Sequence, residues 1–496
     1  MDGQGTGVSR PVGASQSVDT ARRAPLWTPA ELAQATGGTL RGVVVDAPIG
    51  GVSIDSRTLK IGDAFFAITG DRDGHDFAAG AAARGAALCV VARAKLDTLP
   101  ADMPALIVED VLRALEDAGR AARARCGGRI VAVTGSVGKT TTKEALLLAL
   151  GADGLTHASA ASYNNHWGVP LSLARLPADA AYGVFELGMN HADEIAPLSS
   201  MVRPHVAVIT TVEPVHIAQF PNVEAIADAK AEIFAGVEPG GAAVLNRDNP
   251  HFERLAAAAR AAGIDTIIGF GQSVAAQARL LSVALQPNGS TALAEILGET
   301  VSFKIGLPGR HIVQNALAVL AAAKLAGADL CLAALALASL GPPPGRGVRT
   351  ALAVKGGMAL MIDESYNANP ASMRAALAVL AGTPVEGRGR RIAVLGDMLE
   401  LGAMGEDLHR GLAPEAGRAD LVFSAGPLMR ALHEALPENR RGAWAPNAAT
   451  LLPLLADRLR GGDVLVVKGS NGSRMGPLVR ALAERFPVKD DASAEG

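Results

Sequence analysis

Ile130-Val131-Ala132-Val133-Thr134-Gly135-Ser136-Val137-Gly138-Lys139-Thr140-Thr141-Thr142-Lys143-Glu144 reads as a buried strand that stops at a glycine turn and resumes as a helix. In that arrangement the N–H groups of the turn and of the helix N-terminus converge on one point and present partial positive charge to an anion. Lys139 adds a full charge there, and Thr140 adds a hydroxyl oxygen suited to Mg²⁺. The widespread nucleotide-binding pattern carries a further glycine where this chain has Val133, and its near glycine is Gly135. The stretch therefore predicts a polyphosphate cradle of a variant kind, which disfavours an ordinary GTPase or kinase. A plain strand-turn-helix is the bland alternative.

Outward from the loop, short apolar runs alternate with Ala-rich helical stretches, the pattern of an α/β fold. Upstream lie Val52-Ser53-Ile54, Ala64 to Ile68 and Ala87 to Val91; downstream lie Val184-Phe185-Glu186 and Val206 to Thr210. Apolar along their length, the downstream runs predict parallel strands covered on both faces. Further on, Ile392 to Leu395, Leu421 to Ser424 and Val464 to Val467 predict a third set of strands. Ligands of such sheets sit beyond the strands' carboxyl ends. Glu186, the residues after Thr210, Gly396-Asp397-Met398-Leu399-Glu400 and Lys468-Gly469-Ser470 all occupy such positions.

At 496 residues the chain is too long for one core. Thr28-Pro29-Ala30-Glu31 carries the signals of a capped helix start. Cys126-Gly127-Gly128 reads as a hinge, and Gly341-Pro342-Pro343-Pro344-Gly345 cannot continue the helix before it. These marks divide the chain into a flexible tail over 1–25, domains over 26–126, 127–342 and 343–482, and a second tail over 483–496. A net charge of −3 offers no basic surplus for nucleic acid, and no apolar stretch is long enough to span a bilayer. Three dispersed cysteines suit a reducing cytoplasm and make no zinc pattern.

Only 10 of the 46 basic side chains are lysine, so a lysine in a chemical-looking segment stands out. Lys139, Lys230 and Lys468 are three such residues. A lysine amine can lose its proton and take up carbon dioxide, which a guanidinium cannot. Glu186 could complete oxygen coordination of a phosphate-bound Mg²⁺ with Thr140, or simply cap a helix. His216 follows a strand, and Lys230 lies on an amphipathic helix. A carbamate on Lys230 would put two anionic oxygens on a long arm, able to share a second Mg²⁺ with His216. Each residue alone is as readily structural. Asn164-Asn165 suits a turn, or an amide pair reaching a phosphate or peptide. Asn315 sits in a polar helix start, and Met361-Ile362-Asp363-Glu364-Ser365-Tyr366-Asn367-Ala368-Asn369-Pro370 is a dense polar string after a strand, with Asn369 or Ser372 as helix cap.

Taken in order, the loop over 134–142, Asn164-Asn165-x-x-Gly168-Val169-Pro170, the Glu186 and His216 segments, the Lys230 helix and the pair Arg346 and Asp363 resemble the motifs of the Mur ligase family, from about Gly51 to Met475. Within that family the chain lacks the N-terminal Gly-x-Gly-x-x-Gly of the first- and second-step enzymes and the Asp-Asn-Pro-Arg of the third-step enzyme. Tyr366-Asn367-Ala368-Asn369-Pro370 resembles the fourth-step enzymes. The resemblance implies a central P-loop-type, mostly parallel sheet flanked by an N-terminal UDP-substrate domain and a C-terminal Rossmann-like domain. It implies ATP-driven attachment of D-alanyl-D-alanine to UDP-N-acetylmuramoyl-tripeptide, in the cytoplasm, by a monomer.

By that resemblance Gly135, Ser136, Val137, Gly138, Lys139, Thr140 and Thr141 bind ATP phosphates. Thr140 and Glu186 hold one Mg²⁺, and His216 with carbamylated Lys230 a second. Asn315, Arg346 and Asp363 hold the nucleoside and phosphates. Ser53, Asp55, Ser56 and Arg57 face the UDP-sugar, while Asn164, Asn165, Tyr366, Asn367, Lys468 and Ser470 face substrate. The family's closing motif usually runs Lys-Gly-Ser then Arg-Ser; the chain has Lys468-Gly469-Ser470-Asn471-Gly472-Ser473-Arg474, which leaves Arg474 without an assigned role. A folylpolyglutamate-type ligase and a non-catalytic nucleotide switch are the rival readings. The Asp-Ser-Arg domain argues against the first, and the segments of Glu186, His216 and Lys230 argue against the second.

Overall fold

The computed structural model describes residues 25–488 apart from 71, 161–162, 216–218, 287–288 and 343–344. His216 and nearly all of the expected N-terminal tail thus lie outside the described residues. The chain forms two compact units, one ending at Val111 and the other beginning at Leu112. This division differs from the one expected at 126/127 by the length of the helix Val111–Arg125.

In the first unit the helix Pro29–Thr36 opens with a capping box, Thr28 N–H donating to Glu31 Oε2 at 2.7 Å and Glu31 N–H to Thr28 Oγ1 at 3.2 Å. Five strands follow: β1 (Thr39–Arg41), β2 (Gly51–Ser53), β3 (Asp63–Phe66), β4 (Leu88–Ala92) and β5 (Ala105–Val108), in the order β1-β5-β4-β3-β2. All neighbours run parallel except β1 and β5. Phe65, Cys89, Val91 and Ile107 form the core beneath them. Between β3 and β4, Gly74 lies so close to Ile68 O that no side chain fits, and the buried His75 is bound on both sides. Its Nδ1 lies 2.6 Å from Asp73 Oδ1, and its Nε2 accepts from Ala92 N–H at 2.9 Å.

The second unit holds two sheets. The central one comprises β6 (Arg129–Thr134), β7 (Thr156–Ala158), β8 (Tyr182–Glu186), β9 (Val206–Ile209), β10 (Ala242–Asn246), β11 (Thr266–Gly271), β12 (Ala278–Gln286), β13 (Gly289–Ile296) and β14 (Glu299–Ile305), ordered β14-β13-β12-β11-β10-β9-β6-β8-β7. It is mostly parallel, as expected; the antiparallel run β12-β13-β14 extends one edge. β13 alternates buried and exposed residues, as a strand covered on one face does. Val131, Val133, Val184 and Val208 pack against the helices Lys139–Gly151 and Arg310–Leu325, the latter buried through Val313, Leu317 and Leu320.

The other sheet comprises β15 (Val348–Val354), β16 (Gly357–Glu364), β17 (Arg391–Gly396), β18 (Leu421–Ala425), β19 (Arg441–Ala445) and β20 (Val464–Lys468), ordered β15-β16-β20-β17-β18-β19 and parallel except for β15. Because β20 inserts between β16 and β17, the ends of these three strands form a topological switch point of the Rossmann kind.

Two sequence expectations need correction. A Cβ at Gly128 would collide with the carbonyl oxygens of Ala180 and Ala181, and Arg129 N–H bonds Ala181 O at 2.8 Å; the glycine is demanded by close packing and is not a free hinge. The closing helix Met475–Arg485 runs past residue 482, where the third domain is expected to end, because Leu482 is buried in the core. Among the described residues no helix is long and apolar enough to cross a membrane.

Candidate active site

Four parallel strands of the central sheet, β6, β8, β9 and β10, deliver their carboxyl ends to one rim. Beyond β6, Gly135 (φ 144°) and Gly138 (φ 88°) occupy the left-handed half of backbone space. A side chain at Gly135 would land on Thr210 Oγ1, and one at Gly138 would sit 2.5 Å from Asn315 Nδ2. Both glycines are therefore fixed by what packs on them as well as by conformation. Val133, where a glycine is commoner, is an ordinary buried residue of β6. The loop is tied down from β9: Ser136 N–H donates to Thr211 O (2.9 Å), Thr210 Oγ1 to Val137 O (2.6 Å) and Ser136 Oγ to Glu213 O (3.0 Å).

Thr140, in the first turn of the helix, donates from Oγ1 to Glu186 Oε2 at 2.7 Å, and Asn164 Nδ2 donates to Glu186 Oε1 at 2.7 Å. Glu186 is only 1% exposed at the end of β8. A buried carboxylate held on both oxygens beside a threonine hydroxyl is a hard-oxygen donor set, the kind Mg²⁺ takes while keeping waters and phosphate oxygens. Asn165 does something different: its Oδ1 accepts from Trp167 N–H and Gly168 N–H and starts the next helix. Of the two asparagines, one serves the carboxylate and the other the turn.

Three lysine amines converge on this region, each with its pKa lowered. Burial lowers that of Lys139, against the opposing pull of Glu186 and with further lowering from Arg346. Lys139 Nζ meanwhile donates to Gly135 O at 2.6 Å. Burial and the neighbouring Lys139 charge hold Lys230, 3% exposed, well below an ordinary lysine. Lys468, also 3% exposed, is lowered by burial, while Glu364 counteracts and Arg346 adds to the effect. Cations crowded into a partly dry region destabilise one another until an anion arrives.

The cleft so formed measures about 550 Å³, within the usual range for small-molecule sites. Loop residues 136–141, Asn164, Asn165 and Glu186 line one side; Arg346, Tyr366, Asn367 and Lys468 line the other, with Asn315 between. The Arg346 guanidinium lies over the Tyr366 ring at 4.2 Å. Lys468 Nζ donates to Asn367 O at 2.8 Å and lies 3.5 Å from Glu364 Oε2. Asp363 is not among the lining residues; it accepts from Ser365 N–H at 3.0 Å, and its strand neighbours Ile362 and Glu364 face the cleft instead. Ser470 Oγ accepts from Leu399 N–H (2.9 Å) and donates to Ala368 O (3.3 Å), which commits it to holding loops together. Ser53, Asp55, Ser56 and Arg57 belong to the first unit. There the Arg57 guanidinium grips Asp55, Nη2 to Oδ2 at 2.7 Å, and that hydrogen bond brings the carboxyl down to about 2.

Sequence reasoning missed Thr210 and Asn246, and reached Glu213 and Glu364 only as members of longer strand-end segments, with no role of their own. Their signal was positional, since each stands at or just beyond the carboxyl end of a strand. Burial raises the Glu213 carboxyl, and Asn246 Nδ2 donates to Thr210 O at 3.2 Å.

Three family models match in chain order: "Mur ligase family, catalytic domain" over 48–123, "Mur ligase middle domain" over 133–323 and "Mur ligase, glutamate ligase domain" over 349–471. The chain belongs to the Mur ligase family. Among Mur ligases, it is similar to the UDP-N-acetylmuramoyl-tripeptide–D-alanyl-D-alanine ligases of Escherichia coli K12 (36% identity, 92% of this chain and 98% of that protein) and Bacillus subtilis 168 (32%, 88% and 93%). Solved Mur ligases similar to the chain include MurF from Acinetobacter baumannii (TM-score 0.78, 30% identity, 92% and 99% covered) and the MurF ligase from Thermotoga maritima in complex with ADP (0.70, 26%, 88% and 98%). The three-domain α/β architecture expected from the motifs is that of these Mur ligases.

Proposed function

We propose that the chain is the ATP-dependent ligase that joins D-alanyl-D-alanine to UDP-N-acetylmuramoyl-tripeptide, a step of peptidoglycan synthesis. The observation that carries the reading is the crowding of Lys139, Arg346 and Lys468 around one cleft whose floor is a glycine cradle. A triphosphate relieves that repulsion. The relatives' names supply the substrates, and the ADP held by the Thermotoga maritima relative supports a nucleotide in the cleft.

Two chemical steps follow. An oxygen of the tripeptide's terminal carboxylate attacks the γ-phosphorus, the bond from that phosphorus to the bridging oxygen breaks, and ADP leaves an acyl phosphate. The free amine of the dipeptide then attacks the acyl carbon, the nitrogen gives up one proton, the carbon–oxygen bond to phosphate breaks, and inorganic phosphate departs to leave the amide. Carboxylate and triphosphate repel one another, so the chain's main contribution is a preorganised positive field. Loop N–H groups and Lys139 hold the phosphates in line, and Arg346 and Lys468 close the field from the other sheet.

The residues fit Mg²⁺. Thr140 and Glu186 would hold it, and when bound it neutralises phosphate oxygens. Lys230 fits carbamylation: its buried amine is biased toward the neutral form, the one that takes up carbon dioxide, and the product is an anion near Lys139. Ser53 to Arg57 are assigned to the UDP-sugar, and residues 26–126 and 127–342 to substrate and nucleotide domains, with the ligase domain running from 343 to the end of the closing helix at Arg485. An ATP-dependent chain with three free thiols fits the cytoplasm, acting as a monomer.

The test is phosphate release from ATP, Mg²⁺ and UDP-muramoyl-tripeptide with and without D-alanyl-D-alanine, with product mass read out. Release that depends on both substrates and yields the pentapeptide supports the reading; no dipeptide-dependent product ends it.

A further inference from the structure

The helix Lys139–Gly151 carries a second lysine, for which the ligation chemistry has no direct use. Lys143 is 1% exposed. An ammonium stripped of water is costly unless its protons are hydrogen-bonded, and an apolar side chain of similar volume fills such a place without that cost. The amine is nonetheless held firmly: Nζ donates to Ser159 O at 2.7 Å and lies 2.6 Å from Glu144 Oε1. The first contact is the informative one, because Ser159 lies where the chain leaves β7.

Ser159 opens the segment that delivers Asn164 to the site. It is itself buried, and its N–H donates to Val184 O at 3.1 Å. At the far end of the segment Gly188 N–H donates to Asn164 O at 2.8 Å, and a Cβ at Gly188 would press on the asparagine amide. Asn164 Nδ2 then donates to Glu186 Oε1, while Thr140 Oγ1 donates to Glu186 Oε2, both at 2.7 Å. Thr140 and Lys143 stand at i and i+3 and share one face of their helix. One helix therefore governs both oxygens of the carboxylate. Thr140 holds one directly, and Lys143 pins the segment whose amide holds the other.

Resting on the nucleotide-and-metal reading of the cleft above, we propose that Lys143 is a positioning residue for the Glu186 carboxylate, acting through Ser159 and Asn164. A carboxylate free to rotate presents either oxygen, or neither, to a cation. With both oxygens tied back to one rigid helix it keeps a single orientation, which suits an ion as demanding of geometry as Mg²⁺. Enclosed as it is, Lys143 acts on the site only by way of the carboxylate, so its effect is felt when the cation is present.

The experiment measures ADP binding by calorimetric titration, with Mg²⁺ and with EDTA, in wild type, Lys143→Met, Asn164→Ala and the double variant. Groups that orient a metal's ligands are worth about 10–100-fold in metal affinity. Lys143→Met should weaken Mg²⁺-dependent ADP binding by about tenfold and leave metal-free binding unchanged, since the glycine cradle is intact. In the Asn164→Ala background the same substitution should add nothing, because the path it acts through is already cut. Equal weakening with and without Mg²⁺, or effects that simply multiply in the double variant, overturns the proposal. Should Lys143→Met fail to fold, Lys143→Gln, whose arm is one atom shorter, must show the same Mg²⁺-confined loss. Wild type that binds no ADP, or binds it equally with and without Mg²⁺, refutes the nucleotide-and-metal reading and this proposal with it; a wild-type Mg²⁺ preference that Lys143→Met keeps in full refutes only the role of Lys143.

Discussion

Replacing Glu186 by glutamine separates charge from shape at the centre of the site. The amide is isosteric with the carboxylate, so its oxygen can still accept from Asn164 Nδ2 while its nitrogen donates to the Thr140 hydroxyl, preserving both contacts now at 2.7 Å. Stability should therefore change by less than about 1 kcal/mol, or roughly 2–4 °C in melting temperature. Catalysis loses the carboxylate that faces Lys139 and the Mg²⁺ position, and loss of one such preorganised group costs about 10²–10³ in turnover. Glu186→Ala, by contrast, takes the carboxylate away from the Asn164 amide and the Thr140 hydroxyl together, at about 1–3 kcal/mol, and should visibly destabilise. Thermal melting beside coupled phosphate release reads both quantities. Turnover of Glu186→Gln within about fivefold of wild type would refute the electrostatic role, as would unfolding as severe as that of the alanine variant.

Lys139→Ala should lower turnover by about 10²–10³ through loss of the cradle's ammonium, checked by the same phosphate assay. Gly138→Ala forces an alanine into φ 88° against Asn315, and calorimetric titration should show nucleotide affinity falling by about tenfold or more for about 1–2 kcal/mol of strain. Lys230→Met removes a buried amine that burial already destabilises; its melting temperature should hold or rise while turnover collapses, and intact-mass measurement of the native wild type should find one carbon dioxide equivalent that the variant lacks. Acid should weaken the fold through His205, whose pKa burial lowers from 6.5 to about 4. Its Nδ1 accepts from Ile130 N–H at 2.9 Å and cannot do so protonated. Because the unfolded chain binds the proton first, this stability is present above pH 6.5 and drains as pH falls toward 4. In urea titrations across that window, His205→Asn should flatten the slope by up to about 1.4 kcal/mol per pH unit.

Much of the site was legible because its chemistry is local. The strand, two glycines, lysine and threonines of 130–142 dictate their own conformation: periodicity buries β6, positive φ demands the glycines, and the helix N-terminus follows. The strand ends carrying Glu186 and Lys468 were legible for the same reason, as were the Thr28 cap and the Asn369 cap. The first asparagine of the 164–165 pair and Glu186 were both singled out, but their bond was not, since nothing in the spacing of 164 and 186 records that β7 and β8 are neighbours.

What depends on contacts between distant segments had to come from the folded chain. Gly128 looked like a hinge because glycine is flexible alone; its reason is a carbonyl from Ala180 that arrives only when the sheet forms. Asp363 and Glu364 are indistinguishable as sequence, yet strand alternation gives the cleft to Glu364. The lowered lysine amines of 139, 230 and 468 arise from burial and from cations brought close by folding, Lys139 beside Lys230 and Arg346 beside both Lys139 and Lys468. The phosphate cradle and the α/β alternation are written into the chain locally, because hydrogen bonding and hydrophobic period act between near neighbours. Which charges meet is settled by folding, because electrostatic energy depends on distance through space and on the water that packing removes.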